Sequence, residues 1–254
     1  MQERTHDALV TEQFGPQAKA YLASAVHAQG EDLTQLAAMI GSRPDAFALD
    51  LGFGGGHVSF LLAPLVRKVV AYDLSEEMVA MVRQEAARRG FANLDARQGS
   101  AERLPCPDAA FDVVASRYSA HHWLDVQAGL REARRVLKPG GQAVFMDVVT
   151  PGSPLLDTWL QTLELLRDPS HVRNYSLEQW RDMLKAAGFR PGVVSRFRLR
   201  LEFSSWIKRM NTPETHVAAI RSLQQRAGAD VTRHFEIEPD GSFTIDTMLM
   251  SAEI

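Results

Sequence analysis

A glycine-rich segment followed by an aspartate is the part of this sequence best suited to bind a ligand. Residues 48–57 read Ala-Leu-Asp-Leu-Gly-Phe-Gly-Gly-Gly-His, and Asp73 follows the next apolar run, residues 69–72. Glycine lets the backbone approach a ligand at torsion angles that other residues resist. An acidic residue after the second strand can accept two hydrogen bonds from a ribose diol. The spacing therefore predicts a site for a ligand that contains a ribose.

Two common nucleotide-binding patterns do not fit this segment. The dinucleotide fingerprint needs glycine at its first, third and sixth positions, and the sixth position counted from Gly52 is His57. A phosphate-binding P-loop needs a lysine–hydroxyl pair after the glycines, and none follows here. With no phosphate to hold, the loop can contact a small zwitterion. The alternative is a glycine-rich turn with incidental acids.

Two adjacent histidines are the second candidate for chemistry. His121 and His122 lie in Arg-Tyr-Ser-Ala-His-His-Trp, residues 117–123, directly after a predicted strand. A histidine there could act as a general base toward an acidic O–H, N–H or C–H. We prefer His122 slightly over His121, and His171 in a later polar linker is a third candidate; the alternative is that these residues only shape their loops. Adjacent histidines without a cysteine cluster have poor spacing for zinc, so we expect no metal.

Short apolar runs that alternate with helical patterns must position these residues. The first forty residues have helical spacing. Strands are predicted at residues 46–51, 68–72, 94–97, 111–115, 142–148, 193–201 and 242–250, and further helices at residues 56–65, 75–89, 125–137, 155–167, 176–187, 204–210 and 213–227. Such alternation favours βαβ units in a parallel sheet, and open α/β sheets bind ligands at their carboxyl edge.

Five segments carry a family resemblance in their order and spacing. They are residues 49–56, 71–75, 98–105, 111–114 and 134–141. Together they resemble the class I S-adenosylmethionine-dependent methyltransferases, and within them the type 11 branch, which includes ubiquinone/menaquinone-type C-methyltransferases. We expect an α/β fold with a Rossmann-like, seven-stranded, mostly parallel sheet, an antiparallel last strand, and a helical lid from the N-terminus and insertions.

The resemblance implies S-adenosylmethionine as the cofactor and S-adenosylhomocysteine as the product. The glycine loop would hold the methionine part, Asp73 the ribose hydroxyls, and Leu74 with Met78 the adenine. The implied cofactor-binding residues are Asp50, Gly52, Phe53, Gly54, Asp73, Leu74, Met78, Ser100, Ala101, Glu102 and Arg117, with Tyr21 from the N-terminal helices closing over the cofactor. Two of them depart from the family pattern. Phe53 stands where a small residue or cysteine is usual, and Ser100 where an aspartate often meets the adenine.

The parts of the chain that cover the site are expected to bind the acceptor. The sulfonium is already activated, so the protein mainly has to align the reacting groups and exclude water. Candidate substrate-binding residues are Tyr118, His171, Arg173, Tyr175, Phe203 and Trp206. Their aromatic side chains suit a flat apolar or heteroaromatic acceptor. Alternatively, Phe203 and Trp206 belong to a helix core, and His171 and Arg173 are solvated loop residues.

Composition excludes several classes of protein. The 28 basic and 31 acidic side chains give a net charge of −3, so no whole-protein field attracts nucleic acid or an anionic membrane. A single cysteine, Cys106, rules out an internal disulfide framework. The N-terminus is too polar for a signal peptide, and the most apolar stretch, residues 58–66, is too short to span a bilayer. We therefore expect a cytoplasmic protein.

These observations lead to one methyltransferase domain over residues 1–254. We expect an N-terminal helical lid at 1–45, a cofactor-binding core at 46–150, and substrate-lid insertions with the C-terminal strands at 151–254. The expected reaction is methyl transfer by direct displacement to a small molecule that is quinone-like, phenolic or N-heterocyclic, without a nucleic-acid partner or membrane insertion. The alternatives are a tRNA- or protein-modifying methyltransferase that uses the basic residues of 196–209, and a non-catalytic S-adenosylmethionine-binding module.

Overall fold

Seven strands form one sheet in the computed structural model, which describes residues 4–18, 22 and 30–254. They are β1 (Arg43–Leu51), β2 (Val66–Asp73), β3 (Leu94–Gln98), β4 (Phe111–Arg117), β5 (Leu137–Val148), β6 (Arg190–Leu201) and β7 (Phe243–Glu253). Their order is β3-β2-β1-β4-β5-β7-β6. Strand β7 runs antiparallel to both β5 and β6, and the other neighbouring pairs are parallel. The predicted mostly parallel sheet with an antiparallel last strand is confirmed.

Helices connect these strands in the described residues. They are α1 (His6–Phe14), α2 (Glu31–Ile40), α3 (His57–Leu62), α4 (Glu76–Arg89), α5 (Val126–Val136), α6 (Pro154–Arg167), α7 (Leu177–Ala186), α8 (Phe203–Arg209), α9 (Glu214–Gln225) and α10 (Ala229–Phe235). None of these helices combines the length and the apolar composition that crossing a membrane would require.

Local sequence signals explain several helix ends. The Ser75 hydroxyl accepts a hydrogen bond from the Met78 backbone N–H and caps α4. Ser176 and Gln179 form a reciprocal capping box at the start of α7. Gly90 ends α4 at φ +76°, a conformation that residues with a Cβ resist. The chain therefore begins and ends these helices where the sequence predicts.

Two of the differences from the prediction have a clear physical reason. Helix α10 was not expected, since its seven residues are too few to show a clear period. Strand β5 begins at Leu137, whereas the prediction placed a break at residues 138–141. The pairing explains this difference: Phe111 pairs with Leu137 and Val113 with Gln142, so residues 138–141 bulge opposite a single residue of β4.

Apolar residues alternate between the two faces of the sheet and form its core. On one face Leu49 and Leu51 pack with α5 and α7, and on the other Ala48 packs with α2 and α3. A third cluster joins α6, α8 and α10 to β7, and it contains Phe203 and Trp206. Phe203 and Trp206 therefore pack in a core, as the alternative interpretation of their helical spacing predicts.

The strand register brings three predicted site residues to one level. Leu51 pairs with Tyr72 of β2 and with Ser116 of β4. The next residue along the chain from each of these three is Gly52, Asp73 or Arg117, so all three stand at the carboxyl edge of adjacent parallel strands. The sheet thus brings residues that are far apart in the chain to one edge.

Candidate active site

A cleft of about 980 Å³, open to solvent, lies at this carboxyl edge. The predicted cofactor-binding residues in the described part of the chain line it: Asp50, Gly52, Phe53, Gly54, Asp73, Leu74, Met78, Ser100, Ala101, Glu102 and Arg117. Tyr21, the remaining one, lies outside the described residues. The cleft is therefore built from the loops that follow β1, β2, β3 and β4.

Glycine is required at two positions of the loop after β1. Gly52 has φ +65°, and a Cβ there would collide with the Ser119 side chain. Gly54 has φ +49°, and the space where its Cβ would lie is open. The first glycine lets the segment after β4 approach the loop, and the second leaves room beside the backbone for a ligand.

Asp73 holds the glycine loop and the start of α4 together. One carboxylate oxygen accepts the Gly54 backbone N–H at 2.8 Å, and the other accepts the Ser75 N–H at 3.0 Å. Burial raises the pKa of Asp73, although these backbone donors oppose the shift. Each carboxylate oxygen has two lone pairs, so both can still accept a hydroxyl hydrogen.

Asp50 is the second acid of the cleft. It is 1% exposed, and its Oδ2 accepts the Ser59 hydroxyl at 2.6 Å. Burial raises the pKa of Asp50 to about 7. A cation bound in the cleft would favour the charged form of this carboxyl group.

Apolar side chains and a short polar turn also line the cleft. Met78 and Phe53 are buried at 1% and 6% exposure. The Ser100 hydroxyl accepts the Glu102 backbone N–H at 3.1 Å, which leaves its own hydrogen for another acceptor. Glu102 in turn accepts the Leu124 N–H at 2.8 Å, so its carboxylate fixes the neighbouring loop. These residues can contact the faces of a flat ring through apolar side chains and its edge through the polar turn.

Helix α1 closes one side of the cleft through Asp7, Val10 and Phe14, which the sequence analysis missed. The helix is fixed at both ends, because His6 donates from Nε2 to the His122 carbonyl at 2.8 Å and Gln13 donates to the Met210 carbonyl at 2.9 Å. Nothing in the sequence of α1 marks these side chains as facing a cleft. Only the packing reveals them.

A buried ion pair beneath the cleft was also missed. Arg117 donates to Asp32 from Nε at 2.5 Å and from Nη2 at 3.1 Å, and both side chains are nearly inaccessible. Asp32 lies in the first turn of α2, 85 residues before its partner. No local sequence signal links them.

A second cavity of about 560 Å³ adjoins the cleft. The two share the lining residues Phe14, Tyr118 and His122. The remainder of the second cavity is lined by His121, Val148, Glu164, Arg167, Leu199, Leu201, Trp206, Arg209 and Ile245. Its wall therefore combines an apolar surface with a few charged groups, as small-molecule sites do.

The three candidate histidines have different partners. His121 Nδ1 lies 2.5 Å from the Asp147 carboxylate, and the ring lines the second cavity. His122 Nδ1 donates to the Ser170 carbonyl at 3.1 Å, and its ring lines both cavities. His171 Nε2 bonds to the Gln161 amide oxygen at 2.8 Å, and this ring lines neither of the two cavities.

These surroundings also separate the histidine pKa values. Burial opposes protonation of His121, but the Asp147 carboxylate outweighs it, so the pKa of His121 is raised. Burial and the neighbouring His121 lower the pKa of His122 to about 4. Burial lowers the pKa of His171 to about 2. His121 is therefore the strongest base of the three.

The structure divides the candidate substrate-binding residues. Tyr118 and Trp206 line the second cavity. Arg173 instead pairs with Asp157 at 2.8 Å, Tyr175 packs edge-on against Trp180, and Phe203 lies in the third core cluster. Those three line neither cavity.

Acidic side chains pair with two arginines of β6. Arg198 lies 2.9 Å from Asp246 and 3.3 Å from Glu236, and Arg200 bonds to Glu238 at 2.6 Å. Within the described part of the chain, no group of three or more histidine, cysteine or acidic side chains could hold a metal ion.

Known proteins resemble this chain over the cofactor region and beyond it. The family model described as "Methyltransferase domain" matches residues 49–145. The uncharacterized protein YafE of Escherichia coli (strain K12) is 50% identical over 201 residues, which are 79% of this chain and 97% of YafE. The uncharacterized methyltransferase YcgJ of Bacillus subtilis (strain 168) is 38% identical over 79% of each chain.

A solved structure and a more distant relative extend these matches. The crystal structure of YcgJ superposes with a TM-score of 0.84 at 33% identity, covering 87% of this chain and 97% of that one. The demethylmenaquinone methyltransferase of Chlorobaculum parvum is 35% identical over 109 residues, which are 42% of this chain and 43% of that enzyme.

Proposed function

The chain belongs to the class I S-adenosylmethionine-dependent methyltransferases of the type 11 branch, and from this we propose that it methylates a small molecule bound in the second cavity. The cofactor of the family is S-adenosylmethionine, which supplies a methyl group activated on a sulfonium. The observation that carries the proposal is the adjacency of the two cavities through Phe14, Tyr118 and His122.

The residues of the cleft fit this cofactor. The open space beside Gly54 admits the methionine part close to the backbone, and the Asp73 carboxylate has lone pairs free for ribose hydroxyls. Leu74 and Met78 offer an apolar surface to the adenine. Phe53 lines the same cleft and is buried. These assignments are part of the proposal.

The acceptor would lie against the shared wall. Phe14 packs edge-on against His122, with ring centroids 4.9 Å apart, so the wall between the two cavities is made of rings. Aromatic and aliphatic side chains around it suit a planar acceptor and exclude water from the reacting atoms. The demethylmenaquinone methyltransferase of Chlorobaculum parvum matches less than half of either chain. This similarity supports a planar ring compound as the acceptor.

His121 is our candidate for the general base. Asp147 binds Nδ1, which fixes the tautomer and leaves Nε2 as the proton acceptor. Among the described residues Nε2 has no hydrogen-bond partner. In this role it would take the proton that the acceptor atom loses on gaining the methyl group. His122, with its low pKa, would only shape the wall.

The test is a methyl-transfer screen with S-adenosylmethionine labelled on the methyl group. Planar phenols, quinols and N-heterocycles are offered singly, and the labelled product and S-adenosylhomocysteine are quantified together. We expect at least one class to give equal amounts of both. Turnover restricted to bulk tRNA or to protein substrates would refute the small-molecule proposal, and binding of the cofactor without turnover of any substrate would favour a non-catalytic module.

The ion pairs on β6 support a small acceptor over RNA. Arg198 and Arg200 are already paired with carboxylates, so they offer little free charge to a phosphate backbone. A gel shift with bulk tRNA at low salt should show no complex. A complex that weakens steeply with salt would support the macromolecular alternative.

A further inference from the structure

Two helices, α6 and α8, supply charged groups to the described lining of the second cavity. Of the described residues that line it, Arg167 and Glu164 come from α6 and Arg209 from α8. The Arg167 and Glu164 side chains are only 11% and 10% exposed. Charged side chains buried beside a cavity are costly unless they serve a partner or a ligand.

Arg167 is held in a fixed position. Its Nε donates to the Trp206 carbonyl at 3.1 Å, and its guanidinium carbon lies 4.9 Å from the centre of the Trp206 ring. Glu164 lies 3.6 Å from its Nη1, longer than a direct hydrogen bond. The guanidinium is therefore oriented mainly by Trp206, with donors left over for another acceptor.

Guanidinium groups outnumber carboxyl groups in the described lining of the second cavity. The two guanidiniums accompany one carboxyl group, Glu164, whose pKa is raised by burial. Asp147, which is bound to His121, and Asp168, which accepts hydrogen bonds from Ser170, are buried and line neither cavity. A ligand carboxylate would therefore find two guanidinium groups at the surface of this cavity.

Apolar side chains make up much of the remaining lining of the second cavity. They are Leu199 and Leu201 of β6, Ile245 of β7 and Trp206. A ligand that contacts both His121 and the arginines would therefore also contact an apolar surface.

We propose, on the basis of the function proposed above, that the acceptor is a planar carboxylic acid whose carboxylate binds at Arg167 and Arg209 while its reacting end faces His121. Guanidinium groups match carboxylates in charge and in geometry. The carboxylate orients the acceptor, and the apolar surface of the cavity takes its ring. Neutral quinones and cationic amines would lack this anchor.

Binding measurements test the proposal without requiring turnover. The protein saturated with S-adenosylhomocysteine is titrated calorimetrically with 4-hydroxybenzoate, 3,4-dihydroxybenzoate and indole-3-carboxylate, and with the primary amide of each. We expect at least one acid to bind about tenfold more tightly than its amide, a difference of about 1.4 kcal/mol. Arg209→Gln should reduce this preference to about threefold or less, and Arg209→Lys should retain part of it.

Lys208→Gln provides the matched control, since Lys208 is exposed on the same helix and lines neither cavity. It should leave the preference unchanged, and every variant should keep its affinity for S-adenosylhomocysteine. Equal binding of acids and amides, or no binding of any acid at about 10 mM, overturns the inference. If acids do not bind preferentially but a neutral acceptor is methylated, the proposed function stands and only the carboxylate inference fails. If an acid binds but no acceptor is methylated, the result counts against the proposed function and not against the carboxylate site.

Discussion

Arg117 and Asp32 form a buried two-point ion pair that joins the end of β4 to the first turn of α2. Arg117 also lines the cofactor cleft, so the pair ties the N-terminal part of the chain to the floor of the site. Removing one partner of such a pair leaves the other charge buried with poor compensation.

We therefore expect Asp32→Asn to lower the free energy of unfolding by about 3–5 kcal/mol, measured by urea denaturation. Glu31→Gln is the control, because Glu31 is the exposed neighbour in the same helical turn, and its effect should stay within about 0.5 kcal/mol. A loss below about 1 kcal/mol for Asp32→Asn would show that the ion pair contributes little.

Asp73 is expected to dominate ribose recognition. Asp73→Ala should weaken binding of S-adenosylmethionine and S-adenosylhomocysteine about 10- to 100-fold, because two hydroxyls lose their acceptors and Gly54 loses the partner that fixes its loop. Asp73→Asn, which keeps one acceptor oxygen, should lose less. Calorimetry measures both, with exposed Glu76→Ala as the control. Unchanged affinity in Asp73→Ala would contradict the assignment.

The acid limb of the rate–pH profile should report His121. Only neutral His121 can accept a proton, and its pKa is raised by Asp147, with Glu164 and Asp168 adding to the effect. The rate should therefore rise with pH through a value above the usual histidine pKa of about 6.5. Asp147→Asn removes the main stabiliser of the charged ring, so the limb should move to lower pH and the maximal rate should fall.

A second histidine–aspartate pair provides the control for this experiment. His234 Nε2 lies 3.0 Å from Asp246, and neither residue lines either cavity. Asp246→Asn should leave the acid limb where it is. If the limb moves equally in both variants, or in neither, His121 is not the group that titrates.

Asp50 should make cofactor affinity depend on pH. Its pKa of about 7 means that the carboxyl group is largely neutral in acid and charged in base. The cationic cofactor favours the charged form, so affinity for S-adenosylmethionine should increase from about pH 6 to about pH 8. S-Adenosylhomocysteine, which lacks the sulfonium charge, should show a smaller increase. Asp50→Asn should flatten both curves in calorimetric titrations, and a slope that survives this substitution would assign the effect to another group.

Local patterns were enough to predict which residues meet at the carboxyl edge of the sheet. Gly52, Gly54 and Asp73 stand directly after strands, and strands that run parallel end at the same edge. Predicting the sheet was therefore nearly equivalent to predicting that these residues meet. The sequence predicted that strand β5 begins at residue 142, whereas it begins at Leu137. The Lys-Pro-Gly-Gly segment is typical of a break between elements, but here it forms a bulge within the strand.

The sequence predicted the surroundings of the second cavity less well. The preference for His122 over His121 had no support in the sequence, since the two are neighbours, and their different partners come from β5 and from the loop at Ser170. Arg173 and Tyr175 have the residue types of a binding site, yet their side chains are occupied by Asp157 and by packing on Trp180.

The sequence by itself determined the sheet, the glycine loop and the aspartate beside it, because each depends on neighbours within a few residues and on the common direction of parallel strands. Only the tertiary structure decided that Asp32 meets Arg117, that Asp147 rather than a solvent molecule holds His121, and that α6 and α8 place two arginines in the second cavity. These contacts join residues brought together by side-chain packing between helices and the sheet, and hydrophobic burial, which drives that packing, is non-directional. Periodicity shows which face of an element is buried, and the assembled fold shows what that face meets.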